Sequence, residues 1–232
     1  MDFAALTGAL LAASLFAHRW RSRRAMVWLS IFSLGYFGFY RLGCVCPIGA
    51  IQNVSRAVFD PSFALPWAVL GFFILPLLFA LFFGRVFCGG VCPLGAMQDL
   101  VMLKSARAPR WLEIALGSLR HVYLGLAVLF AALGARYVIC EFDPFVGFFR
   151  MNARFPIWIW SIGVVALSMV VGRPYCRFLC PYGVLLGWFS RFAAKRVTIT
   201  PEDCVVCHLC VDSCPFGAIR RGGAEEAGEA AR

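Results

Sequence analysis

Long apolar stretches separated by short basic segments run along most of this chain. Residues 63–83 and 155–172 contain no charged side chain, and each approaches the roughly 20 apolar residues that an α-helix needs to cross a bilayer. Residues 3–17, 25–43 and 114–135 are three further apolar stretches, and the last two contain a single arginine each. The pattern therefore predicts an all-α membrane protein with about five transmembrane helices.

The composition also favours a membrane protein over a soluble domain. Hydrophobic residues make up 61% of the 232 residues and charged residues only 15%, against about 25% charged residues in an average soluble protein. The start MDFAAL is acidic and no small-residue cleavage site follows it, which argues against a removable signal peptide. We therefore expect the first apolar stretch to stay in the membrane.

Basic residues predict the orientation of these helices. The segment HRWRSRR, residues 18–24, follows the first apolar stretch, and lysine and arginine concentrate on the cytoplasmic side of membrane proteins. We therefore predict a multi-pass protein of the bacterial inner membrane, with the N-terminus outside and the C-terminal segment cytoplasmic. The net charge of +10 fits contact with anionic membrane lipid. No nucleic-acid motif accompanies it, so no nucleic-acid partner is expected.

Two matched cysteine pairs follow the third and fifth predicted helices. FCGGVCPLGAM contains Cys88 and Cys92, and YCRFLCPYGVL contains Cys176 and Cys180. The proline after each C-x3-C removes a backbone donor and fixes φ, and the glycine two residues later permits close backbone approach. Both features suit metal ligation, whereas cysteine-rich helix ends that only pack are the alternative.

The polar segment after the last predicted helix has a more specific pattern, C-x2-C-x2-C-x3-C-P. In bacterial ferredoxins three cysteines of such a run bind one [4Fe-4S] cluster and the fourth binds another. Cytoplasmic thiols stay reduced, and zinc sites prefer two separated C-x2-C pairs. We therefore predict iron-sulfur ligation by Cys204, Cys207, Cys210 and Cys214.

These two groups of cysteines together supply the ligands of two [4Fe-4S] clusters. One partition gives Cys204, Cys207 and Cys210 a fourth ligand from the cysteine pairs, and Cys214 joins the remaining three. In the competing partition the C-terminal run holds its cluster alone, and the pairs hold a [2Fe-2S] centre or a lone iron. We expect one to two [4Fe-4S] clusters and no haem or flavin.

A third group of candidate ligands is predicted on the outer side. CVCPIGAIQ contains Cys44 and Cys46 and closely resembles the segment that follows Cys92. CEFDP, with Cys140 and Asp143, resembles a C-x3-C-P motif shortened by one residue, with aspartate as its second ligand. A third metal centre, a disulfide or reactive thiol, and plain packing are the three interpretations. A hydrocarbon core of about 30 Å is expected to separate this group from the inner cysteines.

The domain organisation follows from these patterns. Residues 1–196 form the predicted transmembrane helical domain with the two C-x3-C-P motifs. Residues 197–221 form a small ferredoxin-like [4Fe-4S] segment. Residues 222–232, GGAEEAGEAAR, are small and acidic and are expected to be disordered.

This arrangement resembles the NapH/NosR-type membrane iron-sulfur proteins. The resemblance covers about residues 63–219 and rests on GRVFCGGVCPLGAMQDL, GRPYCRFLCPYGVLLGW and VTITPEDCVVCHLCVDSCP. It implies electron transfer linked to the quinone pool, a role as a quinol dehydrogenase component, and cluster ligation by the eight cysteines of these segments. Many members carry two ferredoxin runs where this chain has one, and the flavin-binding outer domain of larger members is missing from it.

We therefore interpret the chain as an integral membrane iron-sulfur protein. It would relay electrons between the quinone pool or a cytoplasmic donor and a partner redox protein. Two alternatives use the same thiolates. One is a membrane copper reductase or assembly factor, and the other is a redox-sensing scaffold subunit with a labile cluster.

Overall fold

A computed structural model describes residues 2–42, 47–103, 110–134, 137, 139, 143–151 and 154–195. This part of the chain contains α-helices and no β-strand, which confirms the all-α prediction for the residues described. Its ten α-helices are α1 Asp2–Leu15, α2 Arg23–Ser33, α3 Pro47–Phe59, α4 Trp67–Phe83, α5 Pro93–Val101, α6 Arg110–Ala132, α7 Pro144–Arg150, α8 Phe155–Val170, α9 Pro174–Phe178 and α10 Pro181–Ser190.

Three π-helical turns accompany these helices. Phe16–Trp20 extends α1, Leu34–Tyr40 extends α2, and Phe87–Val91 leads from α4 towards α5. Such turns are frequent at functional sites. The third contains Cys88, one of the candidate ligands.

One described helix is long and apolar enough to cross a membrane. It covers Trp111–Ala132 within α6, 22 residues with a mean hydropathy of 1.6. Helices α4 and α8 are apolar but shorter, with 17 and 16 residues. They lie within the predicted stretches 63–83 and 155–172. The five predicted transmembrane helices are therefore not confirmed.

Four short helices begin at a proline that directly follows a candidate ligand. These helices are α3, α5, α7 and α10, which begin at Pro47, Pro93, Pro144 and Pro181. Proline is favoured at the first position of a helix, because its fixed φ suits the helix and its missing N–H would have no intrahelical partner there. The sequence Cys-Pro or Asp-Pro thus places each candidate ligand at the N-terminus of a short helix.

The short helices form much of the buried core. In α5 the five consecutive residues 94–98 are buried, and Leu186 of α10 is 1% exposed. The long helices carry apolar side chains on their outer surfaces, and Trp67 of α4 and Ile114 of α6 are 86% and 65% exposed. Exposed apolar side chains on helices of this kind are typical of surfaces that contact a membrane or a protein partner.

The chain folds back on itself after α8. Arg173 adopts the left-handed conformation with φ 48°, which non-glycine residues rarely adopt. This turn directs α9 back against α8, and α10 continues to contact α3, α4 and α6. The second cysteine pair is thereby carried into the core rather than left at a helix end.

Candidate metal centre

The structure brings the four cysteines of the two C-x3-C-P motifs into one region. Cys88 lies in the third π-helical turn, Cys176 lies in α9, and Cys92 and Cys180 directly precede α5 and α10. All four are free thiols, with Cys180 buried and the other three partly buried. Each of Cys92, Cys176 and Cys180 is near enough to at least one other cysteine for their charges to interact.

The two motifs share a backbone closure. In the first motif the N–H of Cys92 donates to the carbonyl of Phe87, and in the second the N–H of Cys180 donates to the carbonyl of Tyr175, both at 2.9 Å. In each case the second cysteine is bonded to the residue that precedes the first cysteine. The C-x3-C spacing therefore forms one closed turn with a thiol at each end.

Burial makes this region unfavourable for thiolates without a compensating positive charge. Desolvation raises the pKa of all four cysteine thiols. The pKa of Cys92 rises to about 12, first through desolvation and then through the charge of the neighbouring Cys88. Since metals bind the thiolate form, iron would provide the positive charge that the four thiolates need. The donor set therefore fits a metal cluster.

The four thiols are not arranged around a single metal ion. Within the described ranges, no group of three or more histidine, cysteine, aspartate or glutamate side chains is positioned to hold one ion. A [4Fe-4S] cluster, in contrast, is held by separate cysteines, so its ligands need not converge on one point.

Gln98 positions Cys176 from the opposite motif. This side chain is 1% exposed, and its Nε2 donates to the Leu94 carbonyl at 3.1 Å and to Cys176 Sγ at 3.3 Å. Its Oε1 accepts the backbone N–H of Tyr175 at 3.2 Å. Gln98 therefore joins α5 to the start of α9 and donates a hydrogen bond to a candidate ligand.

Arg173 is a second polar link between the motifs. The residue is 3% exposed, and its guanidinium pairs with both carboxylate oxygens of Asp99, with Nε 2.6 Å from Oδ1. Its Nη1 also donates to the Cys88 carbonyl. Burial acts to lower the pKa of Arg173, but the hydrogen bond and charge of Asp99 raise it above its ordinary value. A permanent positive charge therefore lies beside the cysteines.

Sequence reasoning did not identify either Gln98 or Arg173 as a site residue. A signal for the glutamine was present, because CPLGAMQ and CPIGAIQ both place glutamine six residues after cysteine. The arginine follows a glycine in both motifs, but only its position in the fold shows that it pairs with Asp99.

The other predicted ligands lie mostly outside the described residues. Cys44, Cys46 and Cys140 of the predicted outer group fall there, as do the four cysteines of the C-terminal run, Cys204, Cys207, Cys210 and Cys214. Asp143 is described and is 1% exposed. Its Oδ2 accepts the hydroxyl hydrogen bond of Tyr175 at 3.0 Å.

This contact corrects the predicted separation of the inner and outer groups. Tyr175 directly precedes Cys176, and its side chain alone reaches Asp143 of the predicted outer group. The expectation of a full hydrocarbon core between the two groups is therefore wrong for Asp143, the one described member of the outer group. The reason is the reversal at Arg173, which returns the second motif towards the N-terminus of α7.

Comparisons with known proteins agree with the cluster chemistry. Residues 65–111 and 153–200 match a family described as a 4Fe-4S binding domain, and each of these regions contains one C-x3-C-P motif. Residues 197–220 match a second family of the same description. These matches confirm the predicted [4Fe-4S] cofactors.

Three relatives cover different shares of the chain. NirI of Paracoccus denitrificans is 26% identical over 90% of this chain, and the regulatory protein NosR of Pseudomonas aeruginosa is 27% identical over 85%. YccM of Escherichia coli, named as an electron transport protein, is 28% identical over 46%. The alignments cover 34%, 30% and 32% of these three relatives, so the chain spans about a third of each. No solved structure matches the chain.

Proposed function

Because the chain is an iron-sulfur electron-transfer protein of the NapH/NosR type, we propose that it relays electrons between the quinone pool or a cytoplasmic donor and a partner redox protein. The observation that carries this proposal is the convergence of two C-x3-C-P motifs, linked by Gln98 and Arg173. Two chain segments about 85 residues apart thus bring their four thiols, one buried and three partly buried, into one region.

Two groups of four cysteines would bind the clusters. Cys88, Cys92, Cys176 and Cys180 would supply four thiolates, and the C-terminal run of Cys204, Cys207, Cys210 and Cys214 would supply four more. When bound, a [4Fe-4S] cluster supplies a site that accepts and releases one electron at a time. The N–H that Gln98 donates to Cys176 Sγ and the positive charge of Arg173 would favour the more negative, reduced state.

We place this protein in the bacterial inner membrane with five spans and a cytoplasmic C-terminus. The exposed apolar surfaces of α4, α6 and α8 support a lipid environment, and the basic segment of residues 18–24 supports the orientation. In this arrangement residues 1–196 form the membrane domain and residues 197–221 the ferredoxin-like segment.

Metal analysis tests the proposal. The full chain would be purified anaerobically in detergent, and iron, copper and acid-labile sulfide would be measured per chain together with EPR spectra after reduction. Two clusters correspond to about eight irons. The double variant Cys88→Ala with Cys176→Ala should lose about four of them and one spectrum, whereas Ser118→Ala on α6 should lose none.

Three results would reject or redirect this proposal. An unchanged iron content in the double variant would show that the cysteine pairs hold no cluster. Copper in place of iron would favour the copper-handling alternative. Full clusters that neither quinol nor any reduced ferredoxin or flavoprotein can reduce, and that react only with air, would favour the redox-sensing alternative.

A further inference from the structure

A cavity of about 400 Å³ lies between α6, α7, α8 and α9. Its lining includes Tyr123, Pro144, Ile157, Trp160, Tyr175 and Leu179. Almost all of this lining is apolar. Pockets that bind small molecules typically have volumes of about 300–1,000 Å³ and mostly apolar walls with a few polar groups. The cavity is therefore large enough for one small organic ligand.

This cavity connects the exposed surface of α8 with the candidate metal centre. Trp160 of α8 is 50% exposed, whereas Tyr175 in the same lining is 2% exposed. Tyr175 directly precedes Cys176, and Leu179 directly precedes Cys180. A ligand that enters along the apolar surface of α8 would thus be held beside two of the four candidate cluster ligands.

Three aromatic side chains in the lining suit a flat ring. They are Tyr123 of α6, Trp160 of α8 and Tyr175 of α9. Aromatic side chains pack against other planar rings in offset-stacked or edge-to-face arrangements, which stabilise the contact beyond the area that it buries. The acyl chain of a lipid gains nothing from this geometry. The lining therefore favours a planar ring over a lipid chain.

Tyr175 also provides a polar contact of a particular kind. Its hydroxyl donates to Oδ2 of Asp143 at 3.0 Å, and a hydroxyl has one donor and two acceptor positions. Because its proton is directed to Asp143, the Tyr175 oxygen can accept a hydrogen bond from a ligand but not donate one. A quinol carries hydroxyl donors where a quinone carries carbonyl acceptors, so this contact is complementary to the quinol.

From these features we infer that the cavity binds the ring of a quinol, with one quinol hydroxyl donating to the Tyr175 oxygen. This inference rests on the proposed electron relay, and it adds the place of binding, the redox form that binds and the residues in contact. Of the two electron donors in that proposal, only a quinol is dissolved in the membrane. A cavity beside the exposed apolar surface of α8 therefore fits a quinol rather than a cytoplasmic protein.

The test measures the binding of one ring in both redox forms to the full chain. The protein would be purified anaerobically in detergent, its iron counted, and the naphthoquinol menadiol and its oxidised form menadione titrated by equilibrium dialysis. Ile157→Trp fills the cavity from α8 and should weaken the binding of both forms by about tenfold or more. Ile159→Trp, on an exposed position of the same helix, should change neither.

Tyr175→Phe tests the hydrogen bond separately, because it keeps the aromatic ring and removes only the hydroxyl. The affinity for menadiol should fall by about tenfold, as expected for one lost hydrogen bond, and the affinity for menadione should stay unchanged. A residue that only supported the fold would affect both forms alike. An equal effect on the two forms, or no effect on either, would therefore overturn the contact of the quinol with Tyr175 and with it the inference.

The outcomes separate this inference from the proposed function. If menadiol reduces the clusters of Ile157→Trp as fast as those of the unchanged protein, the quinol binds elsewhere, so the inference fails and the relay stands. Clusters that a reduced ferredoxin reduces and menadiol does not would lead to the same conclusion. A phospholipid that co-purifies with the unchanged protein but not with Ile157→Trp, and that menadiol does not displace, would also overturn the inference. A protein without iron-sulfur clusters would reject the proposed function itself. If Ile157→Trp loses its iron and does not fold, Tyr175→Phe decides the matter.

Discussion

Gln98 contacts a candidate ligand directly and can therefore adjust its chemistry. Its Nε2 lies 3.3 Å from Cys176 Sγ, and hydrogen bonds to cluster sulfurs are among the features that set cluster reduction potentials. Because an N–H donor stabilises the more negative state more strongly, Gln98 should raise the potential of a cluster held by Cys176.

Replacing Gln98 with leucine should lower that potential. The substitution removes the donor to Cys176 and also the acceptor for the Tyr175 N–H, so some loss of iron is expected too. If the donor favours the reduced state by about 1.4 kcal/mol, a one-electron potential falls by about 59 mV without it. An EPR-monitored redox titration measures the shift. The same potential in a fully loaded Gln98→Leu protein would contradict the assignment, and Ser55→Ala provides the control.

The ion pair of Arg173 and Asp99 should contribute to stability as well as to charge. Asp99→Asn leaves a guanidinium that is 3% exposed without its charged partner. Removing one partner of a buried ion pair typically costs 3–5 kcal/mol. We expect about 3 kcal/mol, since the Asp99 side chain is 32% exposed.

Thermal unfolding in detergent measures this loss. The control is Asp60→Asn, because the Arg56–Asp60 pair is exposed and its atoms are 3.9 Å apart, and exposed pairs contribute little. Equal melting temperatures for Asp99→Asn and the unchanged protein would show that Arg173 finds another partner.

The two cysteine motifs differ at the glycine two residues after each proline. A Cβ on Gly95 of α5 would lie 3.0 Å from the Cys88 carbonyl oxygen and 3.3 Å from Arg173 Nη1. On Gly183 of α10 it would lie 3.6 Å from the Cys176 carbonyl oxygen, an ordinary contact distance. The first turn is therefore closed more tightly than the second.

Gly95→Ala should consequently disturb the cluster site more than Gly183→Ala. Overpacking of a dense core typically costs 1–3 kcal/mol, and at Gly95 the strain falls on the backbone of a candidate ligand. Iron per chain after anaerobic purification should fall in Gly95→Ala and stay near its normal value in Gly183→Ala. A larger loss in Gly183→Ala would contradict the geometry of the two turns.

Particular elements show what the sequence could predict. The uncharged runs located α4 and α8 to within a few residues, because a continuous apolar stretch and its charged ends are local features. The Cys-Pro and Asp-Pro steps at the starts of the short helices are local signals too, because proline is favoured at the first helical position, but no short helix was predicted from them.

The reversal after α8 was not predictable in the same way. In membrane proteins apolar residues face both lipid and protein, so hydrophobicity does not distinguish a helix that spans from one that folds back. The contact of Gln98 with Tyr175 joins residues 77 positions apart, and no local pattern encodes it. The left-handed turn at Arg173 is equally hidden, because arginine has no preference for that conformation.

The outer surface of the whole molecule supports insertion of more than one helix. Helices other than α6 also carry exposed apolar side chains. In α4, Trp67 is 86% exposed and Phe82 is 54% exposed, and in α8 Ile159 is 58% exposed. If α6 alone crossed the bilayer, these surfaces would have to be covered by other proteins. Five spans would cover them with lipid and would leave the buried short helices as the centre of the bundle.

Reporter fusions distinguish these two arrangements. With five spans and an outer N-terminus, the loop after Asp60 lies outside and the segment after Leu103 lies inside, because α4 crosses between them. Alkaline phosphatase, which requires the oxidising outer compartment to form its disulfides, should be active when fused after Asp60 and inactive when fused after Leu103. A fluorescent protein at the C-terminus should report a cytoplasmic position. If only α6 crosses, both phosphatase fusions precede the span and should give the same result, which would overturn the five-span arrangement. Two active fusions would also overturn the cytoplasmic position of the first cysteine pair, whereas two inactive fusions would keep it.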